Sequence, residues 1–311
     1  MRSIFMLLMA SFFLFSNAQN KQSYKIFNKN GKKASYSDII NSAQKSDVLL
    51  FGEYHDNSVV HWLELKVLKD LSDKRDLVLG AEMLEADNQK KINQYLKGEI
   101  TQKKLDSTAR LWPNYKTDYK PLVDYAKELK IDFIATNIPR RFASLVFKNG
   151  FEALDKLSQE EKSWMAPLPF KYDANLPGYS KMAQEMGGHG GENLPKAQAS
   201  KDATMAYFIA KNRKENALFM HYNGSYHSDN FEGINWYLKQ ENPNIKIVTI
   251  ATVGLATLDL TPRLFAPLGG AIQNGHWPNR STNRPGSFDS RQRHRLLAGP
   301  TDSAACPMDH F

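Results

Sequence analysis

The sequence is almost free of cysteine. Cys306 is the single Cys among 311 residues, so no disulfide can form within the chain. Hydrophobic residues make up 41% of the chain, which is an ordinary share for a globular protein of this length. We therefore expect the fold to be stabilised by burial of a large apolar core.

Several motifs of catalysis and nucleic-acid binding are also missing. The chain contains no G-x-S-x-G nucleophile elbow and no H-E-x-x-H zinc motif. Its 41 Lys and Arg residues outnumber 33 Asp and Glu residues, for a net charge of +8, but the basic residues are scattered among acidic ones. Without a basic stripe interleaved with aromatic residues, we predict no nucleic-acid partner. We also predict no metal site.

Long apolar runs are restricted to the start of the chain. Residues 1–18 predict a signal peptide, with Arg2 as the basic region, Ile4–Phe15 as the apolar region and small residues before Gln19. The apolar run is shorter than the about 20 residues of a membrane-spanning helix. No Cys lies near the expected cleavage point. We therefore expect an exported protein, periplasmic or associated with the cell surface, without a lipid anchor.

The composition changes at the other end of the chain. Residues 254–311 contain no Lys, Glu or Tyr, and turn-forming residues occur throughout. We interpret this segment as an atypical tail, foreign or disordered, and assign no function to it. The predicted main domain is therefore 19–253.

Short apolar segments alternate with helical patterns along this domain. Because such alternation is typical of parallel sheets with helical crossovers, we predict an α/β fold: a mainly parallel five-stranded sheet flanked by helices. A small helical subdomain, 141–197, is inserted before the fourth strand. The predicted strands are Val48–Phe51, Leu77–Ala81, Ile131–Thr136, Ala217–Met220 and Ile245–Val253.

Polar residues follow four of the predicted strands. Ligands of open α/β sheets bind beyond the carboxyl ends of the strands, so these side chains are expected to converge. Two carboxylates and two imidazoles suit acid–base catalysis, and equally a buried network that stabilises turns. The residues alone leave open whether the protein is an enzyme. The candidate catalytic residues are Glu53, His55, Glu82 and His227, and Asn137 and Arg140 follow the third strand.

The predicted insertion contains a segment rich in Pro, Gly, Met and Tyr. Met182 and Met186 are one helical turn apart, and His189 is flanked by glycines. Such a segment is either a mobile surface loop or a platform for a flat apolar ligand, since Met packs adaptably and Tyr or His can ligate haem iron. The residue pattern by itself favours the loop.

Six motifs, in order along the chain, resemble the ChaN-like haem-binding uptake family of the Tiki superfamily. That superfamily also includes erythromycin-esterase-like enzymes and Tiki proteases. The motifs are GEYHDN at 52–57, LGAEM at 79–83, WPNY at 112–115, NIPR at 137–140, AQASKDATMA at 197–206 and NGSYHSDNFEGINWYL at 223–238.

The resemblance implies an exported haem-binding protein involved in haem and iron acquisition. It implies haem as cofactor, a haem site shared across a homodimer and the outer-membrane uptake machinery as a partner. Carried over to this chain, it implies Tyr179 as first choice for the iron ligand and Tyr172 as second, with His189 and Met186 nearby. The polar strand ends support the alternative function, an esterase- or protease-like hydrolase that activates water. A third hypothesis is a module that binds a protein partner.

Overall fold

The computed structural model describes residues 23–185 and 191–254. Its first elements are a short antiparallel pair, β1 (Ile26–Phe27) and β2 (Lys33–Ala34), followed by helix α1 (Tyr36–Ala43). Ser35 and Asp38 form a reciprocal capping box, in which each side chain accepts from the other residue's backbone N–H. This cap defines the start of α1. The helix is followed by the first strand of the main sheet.

The main sheet has five parallel strands. They are β3 (Val48–Glu53), β4 (Leu77–Glu85), β5 (Asp132–Asn137), β6 (Leu218–Gly224) and β7 (Ile247–Ala251). Their order across the sheet is β5-β4-β6-β3-β7. β6 is therefore inserted between β3 and β4, and the carboxyl ends of these three strands are neighbours. The predicted fold class is confirmed.

Helices cover both faces of this sheet. Every residue of β3, β4 and β6 is buried, as expected for parallel strands covered on both sides. The segment between β5 and β6 is helical, as predicted, and contains α6 to α9. The helices after α1 are α2 (Ser58–Ser72), α3 (Gln89–Leu96), α4 (Gln102–Thr108), α5 (Lys120–Leu129), α6 (Arg140–Asn149), α7 (Gln159–Lys162), α8 (Pro177–Glu185), α9 (Asn193–Asn212) and α10 (Ile234–Glu241).

Two hydrophobic clusters form the core, one on each face of the sheet. Successive side chains of a strand point to opposite faces, so Leu49 and Phe51 belong to one cluster while Val48 and Leu50 belong to the other. The first cluster includes the apolar face of α2, and the second includes Met205 of α9. Burial on both faces is what a chain without an internal disulfide needs to hold its sheet in place.

The structure differs from the predicted strands at their ends. β4 continues to Glu85 rather than ending at Ala81, and its pairing with β5 is irregular between these two residues. Glu82 therefore lies in a bulged part of the strand and not after it. β6 continues to Gly224, because its last residues pair with β3.

The predictions for the two ends of the chain concern residues outside the described ranges. The signal peptide and the tail from residue 255 lie outside the described residues, as do Met186 and His189 of the insertion. The boundaries predicted from them stay predictions. Of the helices in the described part of the chain, none combines the length and the apolar character that a membrane crossing needs.

Candidate functional site

The four predicted catalytic residues meet at the carboxyl edge of the sheet. Glu53 is the last residue of β3, and His55 follows in the turn before α2. Glu82 lies in the bulge of β4, and His227 ends a short 3-10 turn directly after β6. Because β3, β6 and β4 are adjacent, the order of strands brings these residues together. We call them the strand-end network.

Glu53 and His55 form the first half of the network. His55 Nδ1 lies 2.6 Å from Glu53 Oε1, and the Tyr119 hydroxyl donates to the same oxygen at 2.7 Å. Burial would raise the pKa of Glu53, but its interactions with the imidazoles of His55 and His61 lower it to about 2. The Glu53 side chain is fully buried, whereas the His55 side chain is 27% exposed. His55 is thus the member of this pair that solvent or a ligand can reach.

His227 joins Glu82 to a residue that sequence reasoning missed, Asp202. His227 Nε2 lies 3.0 Å from Glu82 Oε1, and Nδ1 lies 2.5 Å from Asp202 Oδ1. Burial lowers the pKa of His227, but the two carboxylates outweigh burial and raise it to about 9. The ring is therefore a buried imidazolium that donates from both nitrogens. The signal in the sequence that could have identified Asp202 was its position as a lone acidic residue among the small residues of α9.

Gly224 lets the two halves of the network approach each other. Its backbone N–H donates to Glu82 Oε2 at 2.8 Å. A Cβ on this residue would lie 2.8 Å from His55 Nε2 and 3.5 Å from Glu82 Oε2. Any larger residue would push His55 away. Burial lowers the pKa of His55, but Glu53 and Glu82 together raise it. The network thus alternates carboxylates with imidazoles, an arrangement that can move protons or stabilise turns.

Two cationic side chains lie near the same edge. Arg140 begins α6 directly after the β5 turn, as expected from its place in the sequence. Lys201 of α9 was not singled out by the sequence. Burial lowers the pKa of Lys201, while Glu82 and Asp202 act in the opposite direction. Positive charge at this edge would favour an anionic ligand.

The two predicted iron ligands lie in different environments. Tyr179 of α8 is buried, and its hydroxyl donates to Asp202 Oδ2 at 2.7 Å. Burial and the Asp202 charge raise the pKa of Tyr179 well above its ordinary value. Tyr172 is half-buried, with its ring 5.8 Å from that of Tyr179 and 5.6 Å from that of Phe151. Within residues 23–185 and 191–254, the Tyr172 hydroxyl has no hydrogen-bond partner.

These features define a class: an α/β protein with a Glu/His network at the carboxyl edge of a parallel sheet, linked through Asp202 to a tyrosine-bearing helical insertion. The model of the family described as haem-binding uptake, Tiki superfamily, ChaN, matches residues 39–238. The match covers more than half of the chain, and the protein belongs to this family. The predicted family and the predicted cofactor, haem, are confirmed.

The fold is shared with a solved structure of ChaN. A structure of cofacial haem binding to ChaN of Campylobacter jejuni is 20% identical, with a TM-score of 0.58, over 76% of this chain and 92% of that one. A toxin effector domain of Vibrio vulnificus, RRSP, is 14% identical with a TM-score of 0.36, over 62% of this chain and 33% of that one. The second likeness is too slight to support an argument. No curated protein sequence matches the chain.

Proposed function

We propose that this protein is exported and carries haem as part of haem and iron acquisition. Membership of the haem-binding uptake family is the observation that carries the proposal. The signal-peptide pattern of residues 1–18 supports export. The insertion supplies tyrosines, and tyrosine is an established ligand of haem iron.

The residues of the insertion fit a haem ligand. A haem needs an apolar, flat surface beside an oxygen or nitrogen donor. Tyr172 offers its phenol oxygen next to the rings of Phe151 and Tyr179. Tyr179 would first have to release its hydrogen bond to Asp202 and lose a proton that burial and that carboxylate retain. We therefore reverse the order expected from the sequence and propose Tyr172 as the iron ligand, with Tyr179 supporting its ring.

ChaN of Campylobacter jejuni binds haem cofacially. We propose a comparable arrangement here, in which two copies of the chain form a dimer and bring two haems face to face. Outer-membrane uptake machinery is the proposed partner. Met186 and His189, between α8 and α9 in the chain, remain candidates for contacts with the haem.

A haem titration of the purified protein tests the proposal. We expect saturable binding at micromolar protein, with a shifted Soret band and the charge-transfer band of a tyrosinate complex. Tyr172→Phe should remove that band, while the control Tyr36→Phe, in a half-buried tyrosine of α1 that donates to Asp70, should keep it. Absence of saturable binding would overturn the proposal. An unchanged spectrum in Tyr172→Phe would overturn only the ligand assignment, and loss of the band in Tyr179→Phe alone would return the assignment to Tyr179.

The dimer is tested separately by sedimentation with and without haem. Under the proposal, haem-loaded protein sediments as a dimer and Tyr172→Phe reduces the dimer fraction. A monomer that holds one haem would contradict the shared site.

A second candidate function is hydrolysis, and the geometry of His55 favours it. This imidazole is partly exposed, held by the buried Glu53 carboxylate and close to Glu82. It could take a proton from a water molecule that attacks an ester or amide. A panel of esters and peptides provides the assay. Activity that survives both His55→Ala and His227→Ala would rule out this mechanism.

A further inference from the structure

A second buried cluster lies on the other side of Glu53 from His55. His61 and Glu64 are three residues apart on α2, so both side chains face β3. His61 Nδ1 lies 3.3 Å from Glu53 Oε2 and 3.1 Å from Glu64 Oε2. Glu53, His61 and Glu64 are 1%, 6% and 0% exposed. We call these three residues the Glu-His-Glu cluster. It belongs neither to the tyrosine segment nor to the contacts of His227.

The orientation of His61 is determined by the bond on the far side of its ring. His61 Nε2 lies 3.1 Å from the His55 carbonyl oxygen, which can only accept, so Nε2 carries a proton. In the neutral ring, Nδ1 then presents its lone pair to the two carboxylates. Histidines that bind metals are oriented in this way, with the outer N–H held by a carbonyl or carboxylate.

Two oxygens of the cluster lack partners within the described parts of the chain. Glu53 Oε2 and Glu64 Oε1 are buried and accept no hydrogen bond. Buried polar atoms without partners are rare, and for a carboxylate they are costly. The charged groups that contact these carboxylates are histidines. Burial lowers the pKa of His61, but Glu53 and Glu64 raise it to about 11. These groups therefore favour a positive species between them, which is either a proton on Nδ1 or a metal ion that displaces that proton.

We propose that Glu53, His61 and Glu64 bind a divalent transition-metal ion of the zinc type. One imidazole nitrogen with carboxylate oxygens is a donor set that such ions accept. Three ligand atoms, one from each residue, lie within 4.8 Å of one another. For bonds of about 2.0 Å, the edge of a tetrahedron is about 3.3 Å, close to the separations from His61 Nδ1. The two carboxylates also match the charge of a divalent ion.

The proposed ion would connect the cluster to the strand-end network through Glu53. Glu53 Oε1 accepts from His55 and Tyr119, while Oε2 faces the cluster. Sequence reasoning missed the site because its residues follow no established metal-binding spacing. One comes from a strand end and two from the next helix.

Metal titration of the haem-free, chelator-treated protein tests the proposal. Co²⁺ is the first probe because a tetrahedral site gives it strong visible absorption, and Zn²⁺ should displace it. We expect one ion per chain, and Zn²⁺ should raise the melting temperature. Absence of saturable binding of both ions would overturn the proposal.

Glu64→Gln is the decisive variant, because glutamine has the shape of a protonated glutamate and keeps the packing of α2. Removal of a group that only hydrogen-bonds a metal ligand costs about 10–100-fold in metal affinity. Because Glu64 is itself a proposed ligand, we expect Glu64→Gln to lose more than this in affinity for Zn²⁺. Glu85→Gln is the matched control, since Glu85 is also buried but pairs with Arg110. It should bind Zn²⁺ like the wild type. Equal affinities, and equal shifts in melting temperature, for Glu64→Gln and the wild type would refute the site. Haem binding by Glu64→Gln should be unchanged, so the two proposals fail separately.

Discussion

Protonation of His227 should make the stability of this protein depend on pH in a specific range. Its ring is enclosed by Glu82 and Asp202, and these carboxylates raise its pKa from 6.5 to about 9 against the effect of burial. The folded protein therefore binds this proton more tightly than the unfolded chain. For a raised pKa, the stabilisation is complete below pH 6.5 and is lost as the pH rises through about 9.

The size of this contribution follows from linkage. At about 1.4 kcal/mol for each pKa unit, protonation of His227 contributes about 2.5 kcal/mol to the free energy of unfolding at pH 7 and almost nothing at pH 10. His227→Asn removes the charge and leaves Glu82 and Asp202 buried without their cation. We expect this variant to lose about 3–5 kcal/mol at pH 7.

Urea unfolding of wild type and variant at pH 7 and pH 10 measures the effect. The difference in free energy of unfolding between wild type and variant should be about 2.5 kcal/mol smaller at pH 10 than at pH 7, because the wild type has then lost the proton of His227. His221→Asn is the control. Burial lowers the pKa of His221 to about 4, so it is neutral at both pH values and its difference should stay constant. A His227→Asn difference that is equal at pH 7 and pH 10 would refute the reasoning.

Three further substitutions test the packing around the site by urea unfolding. Gly224→Ala places a methyl group 2.8 Å from His55 Nε2 and should cost about 1–3 kcal/mol, largely restored by adding His55→Ala; additive costs would contradict the contact. Leu79→Ala creates a cavity at a fully buried position in β4 and should cost about 2–5 kcal/mol of stability. A loss below about 1 kcal/mol would mean that the core around Leu79 is not tightly packed. Tyr119→Phe removes the hydroxyl that donates to Glu53 and should cost about 1.5–3 kcal/mol, and wild-type stability would show that this bond contributes nothing.

The helical insertion shows where prediction from the sequence ended. The sequence indicates its helical character and its tyrosines, because composition and local patterns are sufficient for both. The family resemblance ranks Tyr179 above Tyr172 as the iron ligand. The burial of each side chain also bears on that choice, and burial cannot be read from a short motif. In the structure, Asp202 of another helix accepts a hydrogen bond from Tyr179, and that contact is the reason that we propose Tyr172 as the iron ligand.

The sequence by itself determined the fold class, because short apolar runs that alternate with helical patterns predict the strands of a parallel sheet. It also indicated polar residues at or near the carboxyl ends of those strands, and its ordered motifs identified the family. Tertiary structure alone decided which groups interact. His227 meets Glu82, 145 residues away, because β6 is inserted beside β4. Asp202 meets His227, and His61 and Glu64 meet Glu53, because helices pack against this sheet. Their charges depend on distances and burial that arise only when the strands and helices pack together.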